Sequence, residues 1–255
     1  MLNYIRSEWY LIRRNRSFLV SVGCIAGSML LLLIFTHYSI ITFGNDDSKS
    51  LYLAFLYTET SFFAPIALIL AGSLENDEFK KQHTLKASVS FGFSRLKIYL
   101  GKLFSQMLAC TLAYIFLAVF YLVTGALFFG RPDPNSFTLY VRALLGAYPL
   151  CLAFFSMTFC FFLNLGSGWG GVLASLGVTY VLPYVFLFLG QKVPPLQIPA
   201  DYNPVNMMKA QWTETGAYFY WDSSSGMGLC YLTAAIYLII FTAIGFYWFR
   251  KREIR

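Results

Sequence analysis

Charge is scarce in this chain. Only 12% of its 255 residues are Asp, Glu, Lys or Arg, against about 25% in an ordinary soluble domain. With 58% hydrophobic and 19% aromatic residues and a mean hydropathy of +0.59, the composition excludes a water-soluble globule and places the chain in a bilayer. Histidine is nearly absent. His37 and His83 have no partner at metal-ligand spacing, and His37 reads as an interfacial residue near the end of a span. The five cysteines (Cys24, Cys110, Cys151, Cys160, Cys230) form no Cys-x-x-Cys pair. All fall in apolar runs and read as small buried hydrophobes, which sets aside a disulfide framework or a thiolate metal site.

Catalytic signatures are missing too. The sequence has no G-x-x-x-x-G-K-[ST] phosphate loop: Gly101-Lys102 is followed by Leu103, and Leu96 stands where the earlier glycine is needed. Neither G-x-S-x-G nor H-E-x-x-H occurs. Nothing argues for an enzyme, and ATP is not bound by the phosphate-loop route.

What the chain does have is long apolar runs. A span needs about 20 such residues, and the runs predict an all-α membrane protein with six spans, at about residues 18–41, 51–74, 104–129, 140–163, 169–190 and 228–249. These make one transmembrane domain over residues 1–255. Ahead of them, residues 1–17 place Leu2, Ile5, Trp9 and Ile12 at helical spacing with Arg6, Arg13 and Arg14 off the stripe, predicting an amphipathic helix on the membrane surface. Span one is too long for a signal-peptide core, and no small-x-small cleavage site follows it. Gly23 and Gly27, and Gly170, Gly171, Ala174 and Gly177 in span five, offer close-packing positions. Pro183 predicts a kink or interruption in span five. In the 191–227 loop, Asn203-Pro204 predicts a helix start, with Val205, Met207, Met208 and Trp212 on a short surface helix.

Lys and Arg fix the orientation. The two ends and the loop after span two carry 14 of them, and the other loops carry 5. The richer side is therefore cytoplasmic, with both termini inside and the 191–227 loop extracellular. The net charge of +7 is accounted for by orientation and contact with membrane lipid, and nucleic acid is not needed as a partner.

The longest charged stretch, Glu75 to Lys102, thus lies in the cytoplasm. Glu75, Asp77 and Glu78 precede Lys80, Lys81, His83 and Lys86, an order that suits a helix macrodipole. Gly92 is a plausible stop. Ser94 then caps a second helix beginning at Arg95 and running into span three. The segment reads as a short cytoplasmic helix, a glycine break, and a helix rigidly joined to a span.

These residues carry a resemblance. Glu78, Phe79, Lys80, Thr84, Leu85, Lys86, Gly92, Ser94, Arg95, Tyr99, Gly101 and Lys102, between spans two and three, resemble the permeases of the type-2 exporter family of ABC transporters, particularly small peptide or bacteriocin export and immunity permeases. The N-terminal helix, six spans and the Asn203-Pro204-Val205-Asn206 segment before the last span are similar as well. The resemblance implies an elbow helix at 1–17 and a coupling segment at 75–97. It implies a second permease chain, as homodimer or heterodimer, and two copies of a separate ABC ATPase that bind ATP and Mg. It implies that Glu78, Phe79, Lys80, Thr84, Leu85, Phe91, Gly92 and Arg95 serve ATPase coupling. It also implies a substrate path lined by spans two and five, where Thr58, Glu59, Phe62, Phe63, Tyr180 and Tyr184 stand.

Those aromatics with one carboxylate would suit an apolar or cationic amphipathic substrate, and antimicrobial or cytolytic peptides fit that description. Two alternatives stand beside an ATP-driven exporter in the cell membrane. One is an ion-coupled carrier using Glu59, against which the two halves show no inverted repeat. The other is a membrane assembly or sensor subunit with no transport path.

Overall fold

The computed structural model describes residues 2–43, 63–79, 94–165, 168–213 and 216–251. Helix α1 is Leu2–Arg14 and α2 is Arg16–Phe43. Next come α3 (Phe63–Phe79), α4 (Arg95–Phe129) and α5 (Pro134–Leu165). Helix α6 is Gly168–Gly190. Short helices α7 (Ile198–Asp201) and α8 (Pro204–Met207) follow, then a hairpin of β1 (Gln211–Thr213) and β2 (Gly216–Tyr218), and finally α9 (Ser224–Lys251). Apart from the hairpin the described chain is helical. Five helices, α2, α4, α5, α6 and α9, are long and apolar enough to cross a membrane. Of the second predicted span, Phe63–Leu74 is an apolar helix, and residues 51–62 lie outside the described residues.

The long helices form one bundle around α5. Within its most apolar window 72% of α5 is buried, against 17% for α6. This follows from α5 being apolar around its whole circumference, with Phe154, Phe155, Phe159 and Phe162 all within it. At one end of the bundle, hydrogen bonds tie the α1–α2 junction to α3 and the last turns of α9 to α5 and α4. Asn15 Nδ2 donates to Ser73 O (3.3 Å), Asn164 Nδ2 to Gly245 O (3.2 Å), and Arg95 Nη1 to Arg250 O (2.5 Å). At the opposite end His37 packs against the rings of Phe128 and Phe129, at 5.8 and 5.3 Å between centroids.

Both prolines inside the long helices are accommodated without a break. Pro149 of α5 has no N–H for the carbonyl of Leu145, and Tyr231 of α9 donates its hydroxyl to that oxygen instead (3.3 Å). Pro183 is preceded by a π-helical turn over Gly177–Val181, in which Leu182 N donates to Gly177 O. The wider turn relieves the clash of the proline ring with the carbonyl four residues earlier. The interruption predicted at Pro183 thus takes the form of a π turn within one span running from Gly168 to Gly190.

The segment between α6 and α9 is packed into the bundle. Asn203 caps α8 through its side-chain oxygen on Val205 N (2.9 Å) with Pro204 at the first helical position, as the sequence predicts. The predicted surface location does not hold, because Val205, Met207 and Met208 are buried. Trp221 is buried as well, and a side chain at Gly146 of α5 would meet its Cβ at 2.7 Å. An apolar face presented to the bundle outweighs one left on a headgroup surface.

Among the cysteines, Cys110, Cys151, Cys160 and Cys230 are buried free thiols, as predicted. Cys24 is exposed on α2, a correction to its expected burial. Gly23 and Gly27 beside it meet no other side chain within 4 Å of where a Cβ would lie, so this face of α2 is open.

Candidate functional site

Two features of the terminal end combine built geometry with exposure. The first is the start of α4. At 35 residues this helix is about 52 Å long, well beyond a hydrocarbon core of about 30 Å, so it extends past that core while its first turns stay packed on α1, α5 and α9. Ser94 caps it with extended backbone (φ −65°, ψ 144°) and accepts from Lys97 N at 3.4 Å, as the sequence predicts. Arg95 reaches across to the last turn of α9. One turn on, Tyr99 is buried against Phe159 of α5 and against Phe246 and Phe249 of α9, with ring centroids 5.5 to 6.0 Å apart. Gly245 leaves the room for it: a Cβ there would overlap the Tyr99 hydroxyl and come within 3.1 Å of Cys160 Sγ.

Helix α1 packs on the same part of α4. Tyr4 lies on Gly101, where a Cβ would fall 2.7 Å from the ring. The buried edge of α1 is Tyr4, Glu8 and Ile12, one residue round from the stripe predicted through Ile5 and Trp9. Lys102, Ser105 and Gln106 are buried in the adjoining turns of α4, and Ser105 Oγ donates to Gly101 O at 2.8 Å. Asn15 joins α1 to the rest: its Oδ1 accepts from Phe18 N at 3.0 Å while its Nδ2 holds Ser73 O.

The second feature is a cleft of about 560 Å³ between α2, α3 and α6. Ser17, Val20 and Ser21 come from α2, Leu68, Ile69, Gly72 and Ser73 from α3, and Gly168, Trp169 and Val172 from α6. Phe162 of α5 forms its floor, seated between two glycines. A Cβ at Gly72 would lie 3.1 Å from the ring, and one at Gly171 2.7 Å from Cγ and 3.0 Å from the Phe162 Cα. Trp169 at the rim is 80% exposed. The volume is that of a small-ligand pocket, the walls are apolar, and the hydroxyls belong to the three serines. The sequence reading missed this cleft. Its signal was the small residues at Ser17, Ser21, Gly72, Ser73 and Gly168, at the starts of α2 and α6 and in the middle of α3.

The residues singled out in the sequence fall as follows. Arg95 stands at the junction just described. Glu78 and Phe79 belong to the last turn of α3. Lys80, Thr84, Leu85, Phe91 and Gly92 lie outside the described residues, as do Thr58, Glu59 and Phe62. Phe63 points into the core and packs on Tyr114 at 4.9 Å between centroids. Tyr180 and Tyr184 instead line a shallow groove of about 510 Å³ on the half of α6 nearer Gly190. Phe63 and these two tyrosines are thus not on one wall. Among the described residues no three His, Cys, Asp or Glu side chains come together as metal ligands. No protein-family model matches the chain, and no curated protein matches it.

Proposed function

We propose that the chain is the permease subunit of an ATP-driven ABC exporter of the type-2 class, energised by a separate ATPase chain. The supporting observation is the start of α4, a helix longer than a span whose first turns are keyed to α1 by Tyr4 on Gly101 and to α9 by Arg95 and Tyr99. A loop attached to such a helix has a rigid element to push on. In this reading residues 75–97 dock on the ATPase, α1 is the elbow helix, residues 51–62 complete a sixth span, and both termini are cytoplasmic in the cell membrane. Two ATPase copies carry ATP and Mg, and two permease chains pair.

The substrate is amphipathic or hydrophobic, with antimicrobial or cytolytic peptides as the favoured class. The cleft between α2, α3 and α6 offers it an apolar wall with serine hydroxyls at the rim, on the two spans, two and five, that the resemblance assigns to the path. Glu59 provides the carboxylate for a cationic group.

Affinity purification of the chain from its native membrane tests the assignment. A phosphate-loop ATPase should co-purify stoichiometrically, and Phe79→Asp with Leu85→Asp should abolish that recovery while leaving the chain inserted. A chain recovered without any ATPase under conditions that keep membrane complexes intact contradicts the reading.

A further inference from the structure

We infer that Arg95 and Tyr99 clamp the terminal end of the last span, α9, to the start of α4, so that motion of the charged loop is delivered to span six together with span three. This rests on the proposed function for its consequence, while the clamp itself rests on contacts within the chain. The negative end of a helix dipole favours a cation beside its last turns. Arg95 supplies one, its Nη1 donating to Arg250 O at 2.5 Å. Residues four apart share a helix face, and Tyr99 continues the contact from Arg95 into the gap left by Gly245, between Phe246 and Phe249. Asn164 closes the arrangement from α5 by donating to both Cys160 O (2.8 Å) and Gly245 O (3.2 Å). A glycine-seated tyrosine, a charge-assisted hydrogen bond and an amide bridge thus fall within two turns of α9. Displacing the start of α4 without α9 would break the Arg95 bond and unseat Tyr99, while Asn164 holds α9 to α5. Arg95 is a positioning residue in this scheme: it acts on α9 and through it on whatever the last span borders.

Spin labels at the exposed positions Lys97 and Lys251 read the clamp directly. The labels are placed by Lys97→Cys and Lys251→Cys with Cys24→Ser, in the full chain in lipid nanodiscs. The in-chain distance distribution should be narrow, and Arg95→Gln should broaden it with the far-UV spectrum unchanged. A distribution unaffected by Arg95→Gln overturns the clamp. With the ATPase bound, adding ATP should change the distance between the two Lys97 positions of a permease pair and leave the Lys97–Lys251 distance within each chain as it was. An in-chain distance that shifts with ATP overturns the inference and leaves the ATPase assignment standing. Failure of any ATPase to bind removes that assignment, and the Arg95→Gln comparison still decides the clamp.

Discussion

The hydroxyl of Tyr231 in α9 donates to the carbonyl of Leu145 in α5, the oxygen that Pro149 deprives of its helical partner. In a bilayer no water is at hand to replace that bond, so a neighbouring helix has to. Tyr231→Phe should therefore lower stability, by roughly 0.6–2 kcal/mol for an interhelical hydrogen bond in a membrane. Pro149→Ala restores an N–H for Leu145, so the same tyrosine change made on that background should cost much less. Thermal unfolding of the four variants gives the coupling as a double-mutant cycle. Equal losses on both backgrounds would refute the link.

Gly171 and Phe162 form the tightest seam beside the cleft. A methyl at Gly171 would meet both the ring and the backbone of Phe162, and rotation of the ring alone does not relieve it. Gly171→Ala should cost about 1–3 kcal/mol, the usual range for overpacking. Gly177→Ala, one helix face away with open space around it, should be close to neutral. The melting temperatures of the two variants make the comparison internal.

Asn15 performs two tasks with one amide, capping α2 and holding the end of α3. Asn15→Ala should cost about 1 kcal/mol through the cap and loosen α1 from the bundle. Asn15→Asp keeps the capping oxygen and loses the donor to Ser73, so its stability should lie between the two. Limited proteolysis after Arg13 or Arg14 reports the loosening, in the order Ala, then Asp, then the parent chain.

Thiol accessibility tests the burial pattern. In the folded chain in lipid, an apolar maleimide should modify Cys24 alone, and Cys110, Cys151, Cys160 and Cys230 should react only after denaturation. Modification of any of these four in the native state would contradict the packing around α5.

The positions that could be read from the sequence are those where local chemistry decides. Ser94 and Asn203 cap the helices expected of them because short polar side chains satisfy the first free N–H groups. The ends of span five agree to within one residue, since the small and polar residues of 164–168 on one side and Gly190 on the other bound its apolar run. What was not legible depends on the neighbour. The sequence cannot show that Gly171 is filled by Phe162 while Gly23 and Gly27 face open space, because the three glycines look alike until the bundle is assembled. Glu8 lies on the buried edge of α1, where a reading by hydrophobic stripe assigns no carboxylate. Pro183 shows the same limit: its ring predicts a disturbance, and only the packed helix shows that a π turn absorbs it. Of the candidate coupling residues, Arg95 has a described geometry that adds to its sequence role, through its reach to Arg250.

The energy source is the heart of the account, and reconstituted transport tests it most directly. Proteoliposomes holding the chain with the proposed ATPase partner, and a fluorescent cationic amphipathic peptide, should move the peptide only when ATP and Mg are supplied on the ATPase side. Collapsing the ion gradients should leave the rate unchanged, and the Phe79→Asp, Leu85→Asp pair should remove it. Peptide movement that ignores ATP, stops when the ion gradient is collapsed and is lost in Glu59→Gln would contradict the exporter reading and make the chain an ion-coupled carrier.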